Sequence, residues 1–229
     1  MINILNNILS VFFPEVCLAC KHALISNEKH ICTTCRHELP QTEYHAIKNN
    51  STAKVLYGRV RVENATSLFF FQKDSRVQQL MHLLKYKGHE EISFLLGKWL
   101  GAQLKEVPYF DEIDIVIPVP LHPRRQRKRG YNQVTGFGKE LSSMLNSTFD
   151  DSILYRTRFT KKMVFKKRLD RWQSLENSFQ LTDESSLVGK HILLVDDVIT
   201  TGATLESCAN ALLKVPGVKI SVATMAITV

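Results

Sequence analysis

The spacing of apolar positions changes several times along this chain, and each change marks an element. Ile192-Leu193-Leu194-Val195 is an unbroken apolar run of strand length, the pattern of a strand buried on both faces. Residues 66–71, 113–117 and Lys219–Thr228 read as further strands, and 153–155 as a short extended piece. Between them the period lengthens. Val77, Leu80, Met81 and Leu84 predict an amphipathic helix with Asp74 as its N-cap. Ile92, Leu95, Leu96, Trp99 and Leu100 predict a second helix, and residues 131–145 and 205–214 two more. Strands alternating with helices predict an α/β fold with a parallel sheet. In such sheets ligands sit beyond the carboxyl ends of the strands. Ile117 and Val195 end their strands on this reading, and an unusual loop comes after each. Residues 2–13 read as a short apolar helix packing on the next segment of chain, and 41–64 as a polar, irregular join.

Composition sets the scale. A chain of 229 residues, 44% hydrophobic, suits one medium domain with a small appendage. The expected layout is an N-terminal helix and cysteine module over 1–45, a linker over 46–64 and the main domain over 65–229. No apolar run reaches the roughly 18 residues needed to span a bilayer, so no stable membrane insertion is expected. Residues 2–13 lack a basic leader and a cleavage site. A cytoplasmic location is the expectation, with peripheral membrane contact through that segment as the alternative.

Charge is uneven. The net charge is +8, and the excess gathers in two places. Arg124, Arg125, Arg127, Lys128 and Arg129 form one cluster. Arg156, Arg158, Lys161, Lys162, Lys166, Lys167, Arg168 and Arg171 form the other, with Asp170 the only acid inside it. Such clusters attract phosphates, of a small molecule or of nucleic acid. Phe159, Phe165 and Trp172, interleaved with the second cluster, are the ingredients of a sequence-tolerant single-strand groove. Solvated surface loops are the plain alternative.

Four of the five cysteines pair as Cys17-x₂-Cys20 and Cys32-x₂-Cys35, eleven residues apart. Two such knuckles complete a tetrahedron around Zn²⁺, and four thiolates leave no open position, so the ion is structural. Two disulfides are the alternative, which a cytosolic setting disfavours. His22, His30 and His37 read as surface residues, and Cys208 as a small core residue.

The string after the apolar run carries the chemistry. Asp196-Asp197-Val198-Ile199 leads into Thr200-Thr201-Gly202-Ala203-Thr204, and from there into a helical pattern. Amides at a helix N-terminus lack intrahelical partners and carry partial positive charge, which suits a phosphate. The threonine hydroxyls add donors, and glycine lets the backbone approach. Carboxylates repel phosphate; they suit vicinal ribose hydroxyls or a Mg²⁺ reached through water. Together these describe a site for a ribose 5-phosphate. The other loop, Pro118-Val119-Pro120-Leu121-His122-Pro123-Arg124-Arg125, leaves its strand stiffened by proline and offers cationic forks to a polyphosphate.

The string Val195-Asp196-Asp197-Val198-Ile199-Thr200-Thr201-Gly202-Ala203-Thr204 resembles the 5-phosphoribosyl 1-pyrophosphate (PRPP) signature of type I phosphoribosyltransferases. The four cysteines, Lys85-Tyr86-Lys87-Gly88, Pro118-Val119-Pro120-Leu121, Arg129-Gly130-Tyr131-Asn132-Gln133 and this string occur in that order. Over essentially the whole chain the sequence is similar to the ComF family of phosphoribosyltransferase-like proteins, associated with natural competence. The resemblance implies a type I phosphoribosyltransferase-like parallel sheet flanked by helices, with a small zinc-ribbon-like module. It implies PRPP with Mg²⁺ as ligand. Asp196 and Asp197 would be the catalytic pair facing the ribose, and Thr200, Thr201, Gly202, Ala203 and Thr204 would wrap the 5-phosphate. Pro118, Val119, Pro120, Arg124, Arg125 and Lys128 would form the pyrophosphate loop. Arg156, Arg158, Lys161, Lys162, Arg168 and Arg171 would belong to a lid that also meets nucleic acid. Met163 stands where the family commonly carries Gln. Two functions are implied. One is phosphoribosyl transfer to an acceptor the sequence does not name. The other is a PRPP-sensing or single-stranded-DNA-binding module that passes DNA to cytosolic recombination or helicase-like factors. A purely structural adaptor is a third, weaker reading.

Overall fold

A computed structural model describes residues 14–157 and 178–229. Two short helices come first, α1 (Thr33–Glu38) and α2 (Ser51–Leu56). Strand β1 (Ala65–Phe71) leads into α3 (Arg76–Tyr86) and α4 (Glu91–Leu104). Strand β2 (Ile115–Pro118) is followed by α5 (Pro123–Arg129), α6 (Thr135–Met144) and β3 (Thr148–Phe149). Strands β4 (Leu154–Arg156) and β5 (Phe179–Leu181) pair antiparallel. The chain then runs through β6 (His191–Ile199), α7 (Ala203–Leu212) and β7 (Lys219–Thr228).

The sheet has five parallel strands in the order β1-β7-β6-β2-β3. Alternate residues of β6 go to opposite faces, as strand geometry requires. Leu193 and Val195 pack with Val77, Leu80, Ile92, Phe137 and Leu141 of α3, α4 and α6. Ile192 and Leu194 pack with Leu205, Cys208 and Leu212 of α7 and with Leu56 of α2. The connection from β2 to β3 thus leaves on one face and that from β6 to β7 on the other. Neighbouring strands whose connections diverge open a crevice at their carboxyl ends. That crevice lies between β2 and β6.

The cysteine module is docked on this body. The Phe70 amide donates to the Pro40 carbonyl (2.9 Å) and the Thr42 amide to the Leu68 carbonyl (3.0 Å), laying residues 40–42 along β1. Trp99 stacks edge-on against Phe69, and its indole N–H donates to Gln41 Oε1 at 3.0 Å. Cys17, Cys32, Cys35 and Leu39 consequently share one core with Leu68, Phe69 and Val77.

Several boundaries differ from the sequence reading. Strand β6 does not end at Val195; it continues through both aspartates because β7 is long enough to pair with Asp196, Val198 and Ile199. Strand β2 likewise reaches Pro118, which pairs with Val195. Ser75, not Asp74, caps α3: its hydroxyl accepts from the Gln78 amide, while Asp74 takes a left-handed φ of 58°. The segment read as a basic loop is helical over Pro123–Arg129, with His122 as N-cap, Pro123 at the first turn and Gly130 at the C-cap. The helix expected from Tyr131 starts instead at Thr135. The segment read as an irregular join contains α2. Asn50 caps it by accepting from the Ala53 amide, and its side-chain NH₂ donates to the carbonyls of Tyr44, Ile47 and Ala65. Residues 2–13, expected to be helical, lie outside the described residues.

Candidate functional site

Three chemically distinct features meet at the carboxyl ends of β2 and β6. The first is the turn from β6 into α7. Gly202 caps α7 at a φ of 72°, a left-handed conformation that favours glycine. Its carbonyl accepts from the Glu206 amide at 2.8 Å. The amides of Ala203, Thr204 and Leu205 precede that bond and have no intrahelical partner. Thr200, Thr201, Ala203 and Thr204 are exposed around them. Gly202 itself is buried, and a Cβ there would lie 2.8 Å from Val55 Cγ1 and 3.1 Å from Leu56 Cδ2.

The second feature is the carboxylate pair. Asp196 and Asp197 are adjacent in a strand, so their side chains leave opposite faces of the sheet. Asp197 is buried on the α3 side. Its Oδ2 accepts from Gln133 Nε2 at 2.6 Å and pairs with Lys85 Nζ at 3.0 Å. Gln133 Oε1 in turn accepts from Arg129 at 2.6 Å. A chain of charge-assisted bonds thus runs from the basic helix to Asp197. Asp196 is half-buried on the α7 side, in register with Thr224 of β7. Burial first, and the neighbouring Asp197 carboxylate second, push Asp196 up to about 8. The opposite faces explain how the two adjacent acids differ: Asp197 is paired with a cation, and Asp196 is held off ionisation.

The third feature is the basic helix α5. Arg125, Lys128 and Arg129 line a cavity of about 450 Å³ together with Lys85, Tyr86, Gly88 and Tyr131. Tyr131 donates its hydroxyl proton to the Leu84 carbonyl and is the wall of this cavity. On its other side, Pro118, Pro120, Phe94 and Asn132 line a separate cavity of about 310 Å³. The structure therefore divides the segment expected to hold a pyrophosphate. Arg125 and Lys128 reach the basic cavity and Pro118 and Pro120 the other; Arg124 lines neither and is exposed. Val119 is buried, and its amide donates to the Val195 carbonyl at 2.8 Å, fixing the exit of β2 beside β6.

Of the second basic cluster, Arg156 stands on β4 with its guanidinium over the Phe179 ring at 5.3 Å. Arg158, Lys161, Lys162, Lys166, Lys167, Arg168 and Arg171, together with Met163 and the aromatics Phe159, Phe165 and Trp172, lie outside the described residues.

The cysteine cluster is remote from the crevice. The sulfurs of Cys17, Cys20, Cys32 and Cys35 all lie within 4.8 Å of one another, and none is in a disulfide. Cys20 and Cys32 Sγ are 3.7 Å apart. Four ligands at the usual zinc–sulfur distance sit about 3.8 Å from each other in a tetrahedron. Backbone amides of Cys32 and Cys35 donate to the sulfurs of Cys17 and Cys32 at 3.3 and 3.4 Å. The cluster can hold a metal ion. His22, His30 and His37 are exposed, and Cys208, on α7, is buried in the core, as the sequence reading expected.

The phosphoribosyl transferase domain family matches residues 136–227, from α6 to β7. The chain is 34% identical over 138 residues to DNA utilization protein YhgH of Escherichia coli O157:H7, covering 59% of this chain and 60% of that protein. It is 36% identical over 139 residues to Competence protein F of Haemophilus influenzae, covering 59% and 61%. The chain is similar to ComF-type competence proteins, and its residues 136–227 match a phosphoribosyl transferase domain. A third relative, Competence protein ComFC of Bacillus subtilis, is 29% identical over 138 residues, covering 60% of this chain and 54% of that one. The alignments span about 60% of the length of the first curated relatives. The chain has the parallel sheet and flanking helices that the resemblance implied. Among its described residues, no helix is long and apolar enough to cross a membrane.

Three residues of the crevice were not singled out by sequence. Lys85 and Gln133 stand inside quoted motifs, but nothing in one dimension directs either to Asp197. Arg59 lies in the segment read as a linker, and its guanidinium donates to the Thr201 carbonyl and pairs with Glu206.

Proposed function

We propose that the protein binds PRPP across the ends of β2 and β6 and acts in the cytosolic handling of DNA during uptake, as the names of its relatives suggest. One observation carries the reading: a donor-rich turn, two carboxylates and a basic helix all stand at the carboxyl ends of the adjacent strands β6 and β2, and Gln133 bonds to both Arg129 and Asp197. The amides of Ala203, Thr204 and Leu205 and the hydroxyls of Thr200, Thr201 and Thr204 take the 5-phosphate. Asp196 and Asp197 take the ribose hydroxyls. Lys85, Arg125, Lys128 and Arg129 take the pyrophosphate, Arg124 adding charge at the rim. Asp196 and Asp197 would hold a Mg²⁺ through water, and the ion would supply charge neutralisation at the pyrophosphate. The four cysteines hold a structural Zn²⁺ that contributes directly to folding of the N-terminal module.

A second use of the same site is binding of single-stranded DNA, with helicase-like or recombination proteins receiving it. The basic cavity favours this use, because it combines four cations with the rings of Tyr86 and Tyr131, the pairing of charge and stacking surface that single strands require. Calorimetry with PRPP and Mg²⁺, followed by a pyrophosphate-release assay with candidate acceptors, tests the reading. Release with one acceptor identifies a transferase; binding without release identifies a sensor or DNA-handling module. Elemental analysis of the same preparation should find one zinc per chain. A folded, zinc-loaded protein that ignores PRPP overturns the proposal.

A further inference from the structure

The turn that would take the 5-phosphate is held from outside the matched domain. Helix α2 lies against it, with Val55 and Leu56 filling the space a Cβ on Gly202 would need. Helix α2 is itself pinned to the sheet by a buried row of hydroxyls. Thr52 Oγ1 meets Ser67 Oγ on β1 at 2.8 Å, and Ser67 Oγ meets Thr224 Oγ1 on β7 at 2.7 Å. Thr224 is the register partner of Asp196. The row therefore ties α2 to the level of the sheet at which the carboxylates stand. Just beyond α2, Arg59 reaches the turn and binds both the Thr201 carbonyl and the Glu206 carboxylate.

Each of those two contacts has a consequence for an anion. The Thr201–Gly202 peptide is planar and trans, so its carbonyl and its N–H point in opposite directions. Holding the Thr201 oxygen toward Arg59 turns the Gly202 N–H away from α2. Glu206 lies in the first turn of α7, where a carboxylate is attracted by the helix dipole and competes with an incoming phosphate for it. The ion pair with Arg59 cancels that charge.

We propose that Arg59 is a positioning residue of the phosphate site: it orients the Thr201–Gly202 peptide and neutralises Glu206, making the 50–59 segment part of the ligand site rather than a linker. The proposal rests on the ribose 5-phosphate reading given above. Its test is a comparison of two probes, ribose 5-phosphate and inorganic pyrophosphate, titrated into the full chain. Arg59→Ala should weaken ribose 5-phosphate about tenfold, the scale of a lost charge-assisted bond, and leave pyrophosphate within about twofold. Arg59→Lys keeps the charge but not the two-pronged reach and should lose about threefold. Adding Glu206→Gln to Arg59→Ala should restore part of the loss, because the uncompensated carboxylate is gone. A structural brace alone would lower both probes together and show no rescue. Equal ribose 5-phosphate affinity in wild type and Arg59→Ala, or parallel loss of both probes, overturns the proposal. Should Arg59→Ala fail to fold, wild-type affinity in Arg59→Lys overturns it instead. A folded wild type that binds no ribose 5-phosphate removes the underlying site reading, and this inference with it.

Discussion

The turn at Gly202 and the basic helix α5 sit at the two ends of one crevice and are built in opposite ways. The turn offers backbone amides and is braced from one side: Val55 and Leu56 beneath Gly202, Arg59 across Thr201 and Glu206. Helix α5 offers side chains. Five of its seven residues are basic and none is buried. Its link to the carboxylates runs through Arg129, Gln133 and Asp197. Amides can bind an anion only if the chain is fixed in one shape, since their direction is the backbone's direction. Cationic side chains adjust individually and share the work. One end of the site is therefore sensitive to shape, the other to total charge.

The sharpest way to break this contrast is Gly202→Val. A branched side chain at a φ of 72° is strained, and its Cβ would meet Val55 at 2.8 Å. Ribose 5-phosphate affinity should fall at least about a hundredfold, with roughly 2–4 kcal/mol lost from stability. Calorimetry and urea unfolding measure both. A variant that binds normally would show that the turn is not shape-limited.

At the other end, single neutral substitutions at Arg124, Arg125, Arg127 or Lys128 should each change single-strand affinity by no more than about threefold, since exposed charges contribute little singly. Replacing all four together with Arg129 should flatten the dependence of log affinity on log salt by about 0.7 for each strand phosphate left without its cation. The same variant should weaken PRPP, and PRPP should compete with the strand. Fluorescence titrations at several salt concentrations decide it. An unchanged slope would make the cluster solvated surface.

The same division explains what the sequence revealed. Lys219–Thr228 is a strand with the bounds its apolar pattern predicts, because β7 lies between β1 and β6 inside the sheet and is buried without a break between its two exposed polar ends. The Cys-x₂-Cys pairs predicted a four-sulfur cluster from spacing alone, since each pair is a local turn. The extension of β6 past Val195 was hidden, because two aspartates interrupt the apolar run and only pairing with β7 overrides them. Helix α5 was hidden because a run of arginines has no hydrophobic period; its cap residues, His122 and Gly130, were the available signal. Lys85, Gln133 and Arg59 could not be placed, because each meets its partner only through tertiary packing, across 112, 64 and 142 residues respectively.

Asp196 and Asp197 carry the contrast into a single dipeptide. Asp197 belongs to the charged end, where Lys85 and Gln133 hold it. Asp196 belongs to the packed end, and burial pushes it up to about 8, against an ordinary carboxyl near 4. A carboxyl raised in the folded state holds a proton that the unfolded chain has already released. Between about pH 4 and pH 8 the folded state binds more protons, so stability must fall as pH rises through that window. The slope is at most about 1.4 kcal/mol per pH unit for one group. Asn cannot titrate, so Asp196→Asn should remove this contribution. The variant should melt above the wild type at pH 8, by about 2–4 °C for each kcal/mol recovered, and the gap should close toward pH 5. Thermal melts of the two proteins at pH 5, 6.5 and 8 measure it, and the difference between them cancels every other titrating group. A gap independent of pH would mean that Asp196 is ionised in the folded protein throughout this range. It would then belong with Asp197 at the charged end, and the boundary between the two halves of the site would move to Gly202.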